Sequence, residues 1–278
     1  MTSQGLAFMS ATELGGILRD RKASPVEAVE AYLQRIEQLN PSLNAYITVL
    51  ADEAMASARQ AEAEIAAGKH KGPLHGVPVG VKDQIHTQGI LTTDASKIRA
   101  DFVPNRDATV VANLKRAGAV IIGKLNMTEF AMGDPITSAF GVTCNPWDTI
   151  RSPGTSSTGS GAATAAFMCA TSLGEDTGGS VRGPAANCGL VGLRPSWGRV
   201  SRFGVDGASW SLDTIGPISR TGGGLRRDHR CHRRTRFQRP VHLGGAGSRL
   251  PSSPDRRHPR DQSRGGSRAD RTGSARTR

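Results

Sequence analysis

Thr109-Val-Val-Ala-Asn-Leu-Lys-Arg116-Ala-Gly118-Ala-Val-Ile-Ile122 decides the architecture. Residues 109–116 read as a helix, Gly118 stands where a helix C-terminus is followed by glycine, and 119–122 form an unbroken apolar strand. Upstream, Val77, Val79 and Val81 alternate within Gly76-Val-Pro-Val-Gly-Val-Lys82-Asp83, a second short strand that delivers Lys82 and Asp83 at its end. Helix giving way directly to strand predicts an α/β layered fold.

Working outward, Ser10-Ala-Thr-Glu13 and Ser24-Pro-Val-Glu27 both have capping-box spacing, and Pro25 occupies a first helical position, so each opens a helix. Val26, Val29, Leu33 and Ile36 give the second helix one buried face, and Asn40-Pro41 is expected to stop it. The Ala- and Glu-rich stretch 52–67 reads as a third helix ending at Gly68. A small-residue helix is expected over 161–170, between Gly-, Ser- and Thr-rich loops at 151–161 and 174–183. Loops of that kind on a rigid scaffold commonly carry chemistry.

Charge divides the 278 residues in two. Segment 221–278 holds sixteen arginines, no lysine and four acids, so the chain's whole net charge of +12 sits there and residues 1–220 are neutral. That segment has no helical or strand periodicity and too few large apolar residues for a core. It reads as a disordered tail, and its composition fits a translated wrong frame of GC-rich DNA better than a nucleic-acid-binding module, although such a tail could bind nucleic acid non-specifically. The four cysteines (Cys144, Cys169, Cys188, Cys231) lack C-x-x-C spacing, there is no apolar signal core, and no apolar run approaches 18 residues. A cytoplasmic protein with no membrane span is expected.

Acyl-transfer chemistry is written in three segments: the Lys82 strand, Pro153-Gly-Thr-Ser156-Ser-Thr-Gly-Ser160, and Glu175-Asp-Thr-Gly-Gly-Ser180-Val-Arg182. Ser180 follows Thr177, Gly178 and Gly179, whose consecutive backbone N–H groups can converge on one oxyanion. A serine hydroxyl needs a base, and a lysine can serve if burial brings its pKa from about 10.4 towards neutrality. Lys82 lies in the run most suited to burial. Asp176 and Arg182 flank the nucleophile and read as an ion pair supporting the loop, and Cys188 as a small buried hydrophobe. No G-x-S-x-G elbow, P-loop lysine or H-E-x-x-H pair is present, so those hydrolase, nucleotide and metal classes are unsupported.

These segments, with Pro184-Ala-Ala-Asn-Cys-Gly-Leu-Val-Gly-Leu-Arg-Pro195 and Ser211-Leu-Asp-Thr-Ile-Gly-Pro217 behind them, resemble the amidase-signature family over residues 10–220. The resemblance implies a mixed sheet covered by helices, of which this chain would supply the N-terminal half as a domain over 1–220. It implies that Ser180 is acylated, that Ser156, preceded by a cis peptide bond, relays the proton, and that Lys82 is the base. Ser157 and Ser160 are rivals for the relay. An amide would be the substrate, with no cofactor. Within the family, the A subunit of the aminoacyl-tRNA amidotransferase, which releases ammonia from glutamine for partner subunits, is the alternative; a truncated chain without activity is the other. Thr155 and Thr158 replace two glycines of the usual pattern, and Glu175 stands where threonine is commoner, with consequences for local electrostatics.

Overall fold

A computed structural model describes residues 3–224. Past its first four residues, the tail expected from 221 onwards lies outside the described residues, as does Cys231. In chain order the elements are α1 (Ser3–Ala7), α2 (Ala11–Arg19), α3 (Pro25–Leu43), β1 (Tyr46–Val49), α4 (Ala51–Ala66), β2 (Pro78–Lys82), α5 (Thr109–Arg116), β3 (Val120–Leu125), α6 (Thr158–Ala165), β4 (Thr171–Glu175), α7 (Arg182–Asn187), β5 (Val191–Gly192) and β6 (Ile215–Ser219). The strands form one mixed sheet in the order β1-β3-β2-β4-β6-β5. Its centre is parallel, β2 lying between β3 and β4, while β1, β6 and β5 join antiparallel.

Local chemistry explains the helix starts. Ser10 and Ser24 each accept the N–H three residues on, and Glu13 and Glu27 reach back to the serine N–H, so both capping boxes are formed. Gly118, with φ of 77°, turns the chain from α5 into β3, and an alanine there would put its Cβ 2.2 Å from the His75 ring. α3 runs past the expected stop to Leu43, because Pro41 sits in the last turn, where its missing N–H removes a single bond. Asn40 then ties off the end, its Oδ1 accepting from the N–H groups of Ala45 and Tyr46.

α6 starts and ends earlier than expected. It begins at Thr158, directly after the Ser156-Ser157 turn, and stops at Ala165, with Phe167 in the left-handed region (φ 58°) before β4. Likewise β4 reaches Glu175, so the loop expected from 174 opens later. Small residues allow α6 to lie flat across β2, β3, β4 and β6. At Gly159 a Cβ would sit 2.2 Å from the Ala45 carbonyl oxygen and 2.5 Å from the Asn126 nitrogen. Because both obstacles are backbone, Gly159→Ala is expected to lower stability by about 1–3 kcal/mol. A urea midpoint unchanged by this substitution would show that α6 can lift off the sheet freely.

The core gathers Leu14, Leu18, Val29, Tyr32 and Ile36 from the N-terminal helices with the strand residues Val79, Val81, Ile122 and Leu173. Trp147, Trp197 and Trp210 stand outside it, 75%, 56% and 80% exposed. Among the described residues no helix is long and apolar enough to cross a membrane.

Candidate active site

All five residues of β2 are buried, and β3 and β4 flank it on both sides, so the strand ends by placing Lys82 in the dry interior. Its Nζ donates to Ser156 Oγ at 2.7 Å. Ser156 occupies the turn before α6, follows a cis Thr155–Ser156 peptide, and has its carbonyl held by the Thr128 N–H at 3.1 Å. Glu175 Oε2 lies 3.7 Å from Nζ, and both side chains are fully buried. Burial lowers the Lys82 pKa to about 8, against the opposing pull of Glu175 and then Asp176. A lysine near 8 is neutral often enough at physiological pH to accept a proton.

Beyond β4 the chain turns sharply around Asp176. The Asp176 and Thr214 backbones exchange hydrogen bonds at 2.9 and 3.2 Å, anchoring the turn to the segment before β6. The Asp176 carboxylate accepts from the N–H groups of Gly179 (2.7 Å), Val181 (3.2 Å) and Arg182 (3.4 Å), and from Arg182 Nε and Nη2 at 2.9 and 3.0 Å. Burial alone would raise its pKa, but the bonds from Arg182 and Val181 outweigh it and hold the carboxylate below its usual range. Asp176 is therefore the hub of the loop. Gly179, expected to offer its N–H to an oxyanion with Thr177 and Gly178, instead gives that N–H to Asp176.

Ser180 is half-buried, and among the described residues its hydroxyl makes no hydrogen bond. A Cβ on Gly183 would meet the Thr155 carbonyl at 3.6 Å, so the cis turn and the start of α7 lie against each other. The structure thus brings Lys82 and Ser156 into contact, with Ser180 on the neighbouring turn and the link from Ser180 to Ser156 open.

Competing side chains are occupied elsewhere. Ser157 Oγ donates to the Glu175 carbonyl and Ser160 Oγ to the Leu173 carbonyl. His75 pairs with Glu64 and His86 with Asp206. Burial raises the Cys188 thiol to about 12, so it is no thiolate. Two contributors escaped the sequence reading. Arg194 Nε approaches Asp176 Oδ1 at 3.3 Å, and Asp213 accepts from Thr177 Oγ1 at 2.7 Å and from the Ser209 N–H. Both lie inside the downstream family motifs, Gly-Leu-Arg-Pro and Ser-Leu-Asp-Thr, and their place in those motifs was the available signal. Among the described residues no three His, Cys, Asp or Glu side chains gather as a metal would require.

A family model described as Amidase matches residues 27–225. The chain belongs to the amidase family. From Geobacter metallireducens (strain ATCC 53774 / DSM 7210 / GS-15), the A subunit of the glutamyl-tRNA(Gln) amidotransferase is 55% identical over 209 residues, covering 75% of this chain and 43% of its own length. Among solved amidases, the peptide amidase from Stenotrophomonas maltophilia superposes with a TM-score of 0.80 at 35% identity, covering 84% of this chain and 50% of that one. A further crystal structure of an amidase gives 0.76 at 34% identity, over 81% and 51%. The chain thus spans less than half the length of the curated relatives it matches.

Proposed function

We propose that this amidase-family chain carries the catalytic serines and lysine of a glutamine amidohydrolase, working as the A subunit of a tRNA-dependent amidotransferase. The observation that carries the chemistry is the buried Lys82–Ser156 contact of 2.7 Å beside the Ser180 turn. Support for the substrate comes from the 55% identity to an amidotransferase A subunit, against 34–35% to the two solved amidases.

In this reading Ser180 swings its hydroxyl to Ser156 as substrate enters. Lys82 Nζ accepts the Ser156 proton, Ser156 accepts that of Ser180, and Ser180 Oγ bonds to the amide carbon. N–H groups of Thr177, Gly178 and Ser180 meet the oxyanion. Protonated Lys82 then returns its proton through Ser156 to the departing nitrogen, ammonia leaves, and water cleaves the ester by the same path. A stand-alone amidase would use the same steps on another amide, and the solved relatives favour that second reading.

Ammonia release by the 278-residue chain, followed against pH with glutamine and with simple carboxamides, separates these readings. Because Lys82 acts as the neutral base, the rate is expected to rise about tenfold per pH unit below about 8 and to level above it. Glutamine turnover that depends on added partner subunits supports the amidotransferase; turnover of simple amides without partners supports the second reading. No ammonia from any amide, with or without partners, overturns both.

A further inference from the structure

Glu175 is an unusual neighbour for a lysine that must lose its proton. Thr177 Oγ1 reaches its Oε1 at 3.0 Å, yet Oε2 is fully buried without a hydrogen-bond partner and faces Lys82 Nζ at 3.7 Å. An acid serving only the packing would have both oxygens satisfied, since an open buried acceptor is costly. Here the open oxygen is aimed at the one group that becomes an ammonium each time Ser156 gives up a proton. Nζ therefore has two oxygens near it, with Ser156 Oγ in contact and Glu175 Oε2 an ångström further away.

Resting on the catalytic reading above, we propose that Glu175 is a positioning residue that sets the protonation of Lys82, its carboxylate receiving the ammonium formed when the serine proton arrives. Burial by itself would carry Lys82 to a weaker base. An opposite charge within about 4 Å restores about one to three pH units of basicity. Charges face Lys82 from every side: Glu175 and Asp176 at the end of β4, Asp94 in the segment after β2 and Asp213 before β6 all pull Lys82 upward, with Glu175 foremost. Burial raises the Glu175 pKa, Lys82 opposes the rise by favouring the carboxylate, and Asp213 and then Asp176 add to it. No proton is created or lost in this arrangement. Nζ takes one from Ser156, and Oε2, 3.7 Å away, faces the resulting ammonium as its counter-charge until the proton goes back.

The test is carbon NMR of the full 278-residue chain labelled at lysine Cε and glutamate Cδ, titrated from pH 6 to 11, with Lys82 identified by the signal lost in Lys82→Met. The Lys82 midpoint is expected to fall by about one unit or more in Glu175→Gln and in Glu175→Thr. A midpoint that stays within a few tenths of a unit in a folded variant overturns the proposal. Should neither variant fold, the unsubstituted chain decides: the Glu175 Cδ signal must move at the Lys82 midpoint, and a flat signal there also overturns it. Covalent labelling of Ser180 by a fluorophosphonate tests the catalytic reading separately. If labelling occurs, its acid limb must shift with the NMR midpoint, and a limb that stays put sinks the proposal. If labelling fails while the midpoint shifts, the catalytic reading falls and the control of Lys82 by Glu175 stands.

Discussion

Ser180→Ala is expected to take no fluorophosphonate label and to lose roughly 10⁶-fold in amide hydrolysis, the scale seen when a serine nucleophile is removed. Geometry is the reason. Ser180 is the serine at the end of the Thr177-Gly-Gly turn, it is half-buried, and its hydroxyl has no hydrogen bond among the described residues, as the proposed nucleophile requires. Ser156, Ser157 and Ser160 are all buried and engaged, with Lys82, the Glu175 carbonyl and the Leu173 carbonyl respectively. For the same reason the substitution should leave stability within about 0.5 kcal/mol. Ser156→Ala should behave differently, keeping a slow reaction because water can bridge Lys82 and Ser180. Labelling that persists in Ser180→Ala would move the nucleophile elsewhere.

Asp176→Ala is expected to cost about 3 kcal/mol of stability and to erase labelling of Ser180. Removing this carboxylate strands three backbone N–H groups, of which that of Val181 is fully buried, and frees Arg182 and Arg194. Arg182 is 53% exposed and can return to water, so the cost lies mainly with the N–H groups. Freed from Asp176, the Gly179 N–H would leave the turn without a fixed geometry, and Ser180 with it. Asp176→Asn, which keeps one acceptor oxygen, should fall between the two. A guanidinium denaturation showing less than about 1 kcal/mol lost in Asp176→Ala would remove Asp176 from the centre of this loop.

Elements whose signals are local were legible in the sequence. The capping serines, Gly118 between α5 and β3, and the valine alternation that ends in Lys82 each depend on a few adjacent residues, and the structure forms all of them. The ends of α6 were not legible. Thr158, Gly159, Ser160, Gly161, Ala162 and Ala163 are all buried, so no apolar stripe marks where that helix begins, and its limits come from backbone contact with Ala45 and Asn126. The α3 terminus was misplaced because Pro41 looks like a stop from sequence, whereas the last turn tolerates it. In the site, the motif order carried Lys82, Ser156 and Ser180 to the same end of the sheet, but which donors are spent depends on distant partners. Asp213 meets Thr177 across 36 positions, and Arg194 meets Asp176 across 18. The Gly179 N–H looked free because nothing in a glycine pair reveals that the preceding carboxylate folds back onto it.

Arg220, just past β6, sends its guanidinium back to the beginning of the chain: Nη1 donates to the Thr164 and Cys169 carbonyls, and Nη2 to the Ala7 and Met9 carbonyls, with the group lying 4.8 Å from the Phe167 ring centre. These last two bonds join residues more than 200 positions apart. On the ribosome, therefore, α1 receives its second anchor late. α1 is synthesised long before Arg220, so at about 5–20 residues per second the Ala7 and Met9 carbonyls wait roughly 10–40 s for this guanidinium, while the Tyr32 hydroxyl, only 25 positions on, can already hold the Ala7 carbonyl. Throughout that interval the Tyr32 hydroxyl lacks its Arg220 neighbour, and the end of α1 rests on α3 alone.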